Sequence, residues 1–215
     1  MDDSTDKSKT PADYAREGQE FIAEIHAKMN KLVEEFSQGL INRTQFHQLY
    51  ERYQKRIMSV AQLIVEDDPA TWREAVEGTE ETIVIKQRLM AKALGMAIYD
   101  NDSGMPIETL GNFNVEPELL VPMLSSYQSA ASEIFRAGMR STAMDNGNWL
   151  CFVPGALTTL VALFSLEPSP NQLETIERLH RDFERANAQA LEQGNVDPEM
   201  LAYPFLSFIK RESRR

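Results

Sequence analysis

Residues 148–170, NWLCFVPGALTTLVALFSLEPSP, are the most apolar stretch of an otherwise acidic and polar chain, and the solvent they require constrains everything around them. The run 149–166 has the length of a short membrane helix. Its residues argue against one. Pro154-Gly155 is a turn signal near the middle, and the flanking residues are β-branched, aromatic or aliphatic, the composition of strands. Two strands are expected, with no membrane insertion. In the second, Val161 and Leu163 fall on one alternating face and Leu160, Phe164 and Leu166 on the other, so it is expected to be central and covered on both sides.

The segments around this pair supply a sheet and its helices. MRSTAM and the turn DNGN precede WLCFV, which makes the pair the second and third strands of an antiparallel meander. Upstream, GMAIYDNDSGMPIETLG has two short apolar segments around Asn101-Asp102-Ser103-Gly104, the turn chemistry of a hairpin, and Pro106 marks an edge strand or a strand's first residues. Between hairpin and meander, Leu119, Leu120, Met123, Leu124, Tyr127, Ala131, Ile134 and Phe135 give a helix a broad apolar face, with Pro122 marking a late start or a kink. After the meander, Ser169-Pro170-Asn171-Gln172 has the pattern of a capping box, and Leu173, Ile176, Leu179, Phe183, Ala186 and Ala190 supply the buried stripe of a long helix ending at Gly194. A further helix is expected from Thr79 to about Ala93, although TIVI within it has strand propensity.

The first third of the chain has a different period. Ile22, Ile25, Met29, Leu32 and Phe36 recur at helical steps and Gly39 stops them; Asn42 and Gln45 are then placed to cap a second helix carrying Phe46, Tyr50, Tyr53, Ile57, Val60 and Ile64. The short connection predicts an antiparallel helical hairpin. The expected organisation is a disordered lead-in over 1–11, the hairpin over 12–66, a linker with a short helix over 67–78, an α+β domain over 79–194, and an apolar then basic tail over 195–215.

Composition narrows the functional classes. A formal net charge of -11 disfavours nucleic acid and anionic membrane surfaces, which need a concentrated basic field. The lone cysteine, Cys151, offers neither a disulfide framework nor a thiolate metal cluster and suits a reducing cytoplasm. Its alternating partners are Trp149 and Val153, and it reads as a small hydrophobe. His47 and Glu51 share a helix face at a metal-compatible spacing without a visible third ligand, and His180 reads as a helix-flank residue beside Leu179 and Phe183. No phosphate loop, cysteine metal set or nucleophile elbow is present, so no catalytic, cofactor or metal residue is assigned and an enzyme is not expected.

The order helix, two strands, helix, three strands, helix, with Ile98, Asp100, Asp102, Gly104, Pro106 and Ile107 in the first hairpin, resembles the roadblock or dynein light chain family. The resemblance covers about half the chain. It implies a five-stranded antiparallel sheet with flanking helices (α-β-β-α-β-β-β-α, roadblock/profilin-like) and a non-catalytic homodimer formed by continuing the sheet and pairing helices. It also implies a regulatory or scaffolding role with a small GTPase or another protein as partner. The helical hairpin lies outside that pattern and is expected to be a second interaction module. The alternative is a small-ligand sensory domain of the PAS/GAF type, which an apolar cavity between sheet and helices would favour. In the tail, Tyr203, Phe205, Leu206, Phe208 and Ile209 are the candidate interaction residues. They need a groove: either one on this protein's own surface, the preferred reading, or a partner's.

Overall fold

A computed structural model describes residues 11–66, 80–133, 140–194 and 196–205. The linker 67–78, Thr79, Ile134, Phe135, Leu206, Phe208, Ile209 and most of the lead-in lie outside them. The chain divides into two compact units, Met1–Leu89 and Met90–Arg215.

The first unit contains α1 (Pro11–Ser37), α2 (Arg43–Glu66) and α3 (Glu80–Arg88). Helix α1 begins ahead of its apolar pattern and ends where Gly39 adopts φ 70°. There the Leu40 N–H reaches the Glu35 carbonyl and the Gly39 N–H the Phe36 carbonyl, a paired closure that needs a left-handed residue at Gly39. Helix α2 starts with the expected capping box: the Asn42 side chain accepts from the Gln45 N–H at 2.8 Å, and Gln45 accepts from the Asn42 N–H at 2.9 Å. Ile25, Leu32, Ile41, Leu49 and Tyr53 form the seam between the two helices. Phe36 stacks on Phe46 at the connected ends, and Arg56 lies 5.7 Å from the Phe21 ring at the far ends.

Helix α3 is the helix expected at the head of the α+β domain. It is shorter than expected, and TIVI is helical. Its last carbonyls explain where it packs. The Asn42 amide donates to the Leu89 carbonyl at 3.0 Å and the Gln45 amide to the Lys86 carbonyl at 2.7 Å, so the residues that cap α2 also satisfy the C-terminal end of α3. Lys86 pairs with Glu35, and the Tyr53 hydroxyl lies 3.3 Å from Thr82 Oγ1.

The second unit is built on an antiparallel sheet of five strands in the order β2-β1-β5-β4-β3. The strands are β1 (Ala93–Asp100), β2 (Pro106–Gly111), β3 (Arg140–Ala143), β4 (Trp149–Pro154) and β5 (Thr158–Phe164), joined by α4 (Pro117–Glu133) and followed by α5 (Pro170–Glu192). Strand β5 is central and every one of its residues is buried, as its two apolar faces require. Leu160, Ala162 and Phe164 face a core shared with Ile176, Phe183 and Leu191 of α5; Val161 and Leu163 face one shared with Leu120 and Leu124 of α4. Both faces of the sheet are therefore filled by side chains. Pro106 opens the edge strand β2, the place where a missing N–H costs least.

Helix α5 has the expected capping box of Ser169 and Gln172, but its buried face differs from the expected stripe. Ile176, His180, Phe183, Asn187 and Leu191 are buried, and Ala186 is exposed. His180 is thus a core residue, 1% exposed, rather than a flank residue. Two polar side chains can occupy that face because each meets a partner from a distant segment.

Candidate functional site

His180 and Glu184, one turn apart on α5, meet the β4–β5 turn. The Glu184 carboxylate accepts the backbone N–H groups of Ala156, Leu157 and Thr158 at 2.9, 2.9 and 2.8 Å, and the Thr158 hydroxyl at 2.9 Å. His180 Nε2 lies 2.8 Å from the same hydroxyl oxygen. The hydroxyl has one proton and the carboxylate can only accept, so His180 donates from Nε2 to Thr158, which donates to Glu184. Burial pushes the His180 pKa down to about 4, against the opposing pull of Glu184, and keeps the ring neutral at pH 7. Burial pushes the Glu184 carboxyl up, but the three N–H donors, aided by His180, outweigh it and hold the group below its ordinary value. A Cβ on Gly155 would stand 2.3 Å from Glu184 Oε1, and the bonded carboxylate has no room to retreat, so the turn takes glycine. Asn101 ties in the β1–β2 turn, accepting from the Thr159 hydroxyl at 2.7 Å and donating to the Gly155 carbonyl at 3.2 Å. The cluster resembles a catalytic triad in composition only: its hydroxyl is buried and already donates to the carboxylate. Its work is to lock two turns and a helix together.

Asn187 does the same for the tail. Its amide donates to the Ala202 carbonyl at 2.9 Å and accepts the Ala202 N–H at 2.8 Å, taking the place of a neighbouring strand. Phe205, fully buried, lies 5.5 Å from Phe183 by ring centroids, and the half-buried Tyr203 stacks on the same ring at 5.7 Å. The Tyr203 hydroxyl donates to the Pro198 carbonyl, and burial, with Glu108 and Asp197 nearby, pushes its pKa up to about 12. Of the candidate interaction residues, Tyr203 and Phe205 therefore fill a groove on their own unit; Leu206, Phe208 and Ile209 fall outside the described residues. Cys151 is buried, and burial pushes its thiol up to about 12, leaving no thiolate for chemistry at neutral pH. His47 and Glu51 gain no further ligand: among the described residues no three His, Cys, Asp or Glu side chains are grouped to hold a metal.

Strands β2 and β3 are the two edges, and they differ. On β2, Pro106 has no N–H to offer, the register shifts between Ile98 and Tyr99, and the Glu108 carboxylate takes the Thr109 N–H at 2.7 Å. On β3 the Met144 N–H bonds back to the Asn148 carbonyl. By the alternation of a strand, the backbone groups of Ser141 and Ala143 then point away from β4, and both residues are exposed. A cleft of about 400 Å³ runs beside this edge, lined by Glu116, Leu119 and Met123 on the α4 side and by Ala143, Met144 and Asp145. Leu119 and Val121 are exposed on α4. In the sequence Pro106 marks an edge strand; which edge stays open is set by the sheet order.

No model of a known protein family matches this chain, and none of the curated proteins compared with it matches significantly. Among the described residues no helix is long and apolar enough to cross a membrane.

Proposed function

We propose that the chain is a non-enzymatic regulatory or scaffolding protein of the roadblock type, a homodimer with a small GTPase or another protein as its partner. The observation that carries this reading is the open β3 edge beside a cleft into which α4 brings the exposed Leu119 together with Met123. The element order from α3 to α5, helix, two strands, helix, three strands, helix, supports the roadblock likeness, with the departure that α3 belongs to the first unit. The helical hairpin serves as a second interaction module, and the buried, reduced Cys151 suits work in the cytoplasm. The GTPase partner is proposed from the family resemblance.

The test is self-association. Sedimentation at tens of micromolar should give a dimer, and Ala143→Pro, which removes an outward N–H, should weaken it at least roughly tenfold with the fold intact. A monomer at that concentration would remove the dimeric reading. The sensory alternative draws on the volume of the β3 cleft, which is that of a small-molecule site, although the cleft opens at the sheet's edge while both sheet faces are packed. Ligand-dependent stabilisation abolished by Met123→Trp would favour it.

A further inference from the structure

The first unit holds a second concavity, one of opposite electrical character to the chain around it. Lys28 and Lys31 on α1 and Lys86 on α3 line a depression of about 180 Å³, with Tyr53 of α2 and Thr82 of α3 also in its wall. Lys28, Lys31 and Glu35 are spaced to share one helix face, and Thr82 and Lys86 stand one turn apart on another. Three lysines stand against two glutamates, Glu35 in the wall and Glu24 beside Lys28, a local balance of +1 in a chain of net charge -11. A concave site of one sign focuses its field on the space it encloses.

The donors in this space exceed their acceptors. Lys28 pairs with Glu24 at 2.7 Å and Lys86 with Glu35, each pair using one of an ammonium's three N–H groups. Lys31 has no ion pair among the described residues. Between the Tyr53 and Thr82 hydroxyls, 3.3 Å apart, one proton makes the bond and the other is left to donate, whichever way the bond runs. Cations with spare N–H groups and a leftover O–H call for an anion with several acceptor oxygens. The volume falls below the roughly 300–1,000 Å³ of drug-sized ligands, which selects a small one.

We infer that this depression binds a phosphoryl group, free as inorganic phosphate or carried on a small metabolite, between Lys28, Lys31 and Lys86 with the Tyr53–Thr82 hydroxyl pair as a further donor. The site is independent of the β3 edge and of the dimer proposed there.

Calorimetric titration of the full-length protein at low ionic strength tests it, with inorganic phosphate and glycerol phosphate as separate probes. Saturable binding of at least one is expected. Lys28→Ala combined with Lys31→Ala should weaken it at least roughly tenfold, and Thr82→Val, which keeps the side-chain shape, by about threefold in a variant with native circular dichroism. Tighter binding of glycerol phosphate assigns the site to an organic phosphate; equal or tighter binding of inorganic phosphate assigns it to the free anion. Failure of both probes to saturate at tens of millimolar, or binding indifferent to the lysine substitutions in variants with native circular dichroism, would overturn the inference.

Discussion

The two units bury apolar surface in different ways. In the helical unit, Ile25, Leu32, Ile41, Leu49 and Tyr53 form one seam between helices, and amides and charges fasten the third helix to it. In the sheet unit, β5 is buried on both faces between α4 and α5, and the polar groups on the buried face of α5 are bonded to the β4–β5 turn and the tail. A seam is defined by periodicity alone and tolerates a charged rim. A two-sided core must also satisfy each polar group it encloses, because an unmet buried donor or acceptor costs about 1–3 kcal/mol. Damage should therefore be graded by which kind of contact is removed.

The largest effect is expected from Phe205→Ala, which empties a fully buried site against Phe183 and should cost about 4 kcal/mol in urea unfolding. An unchanged midpoint would mean that the tail is no part of the sheet unit's core. Acid comes next. The unfolded chain takes up a proton at His180 near its ordinary 6.5, whereas the folded chain resists until about 4. Stability present at pH 7 is thus lost as the pH falls through that window, by about 3 kcal/mol in full. Glu184, held below its ordinary value, adds a loss that sets in as the pH approaches 4.5 and grows below it, because the unfolded carboxylate protonates first. His180→Gln should flatten the slope between pH 6.5 and 4.5, and a slope equal to that of the parent would assign it elsewhere.

A smaller effect is expected at Glu184 itself. Glu184→Gln keeps the shape but exchanges one acceptor for a donor facing N–H groups, at about 2 kcal/mol by the same unfolding assay. The smallest belongs to the helical unit. Lys86→Met removes a partly exposed ion pair to Glu35 and should cost less than about 1 kcal/mol. A cost as large as that at Glu184 would show that the seam depends on its charges, and the contrast between the units would fail.

The contrast also explains what could be read from the chain. Both capping boxes and the central place of β5 were legible because each is written in neighbouring residues or in one alternating pattern. His180 and Asn187 were not, since a polar residue looks like a helix flank until Thr158 and Ala202 arrive from other segments. Helix α3 was assigned to the sheet by its order in the chain, while the amides of Asn42 and Gln45, 41 to 47 residues earlier, hold it in the first unit. The tail's need for a groove was visible in its aromatic residues; the groove's identity lay in Phe183 and Asn187. The β3 edge left no local mark, because openness is a property of strand order.

That strand order also sets a timetable for biosynthesis. Strand β1 pairs with β5, Ala93 lying opposite Phe164, so the first hairpin of the sheet unit lacks its inner neighbour until the last strand has been translated. At about 5–20 residues per second the ribosome takes several seconds to cover that interval, and closing so distant a pair is slow in itself. The seam between α1 and α2, which are adjacent in sequence, meets no such delay. During those seconds the nascent chain exposes Met96 and Ile98, and that interval is when a chaperone would have most to do.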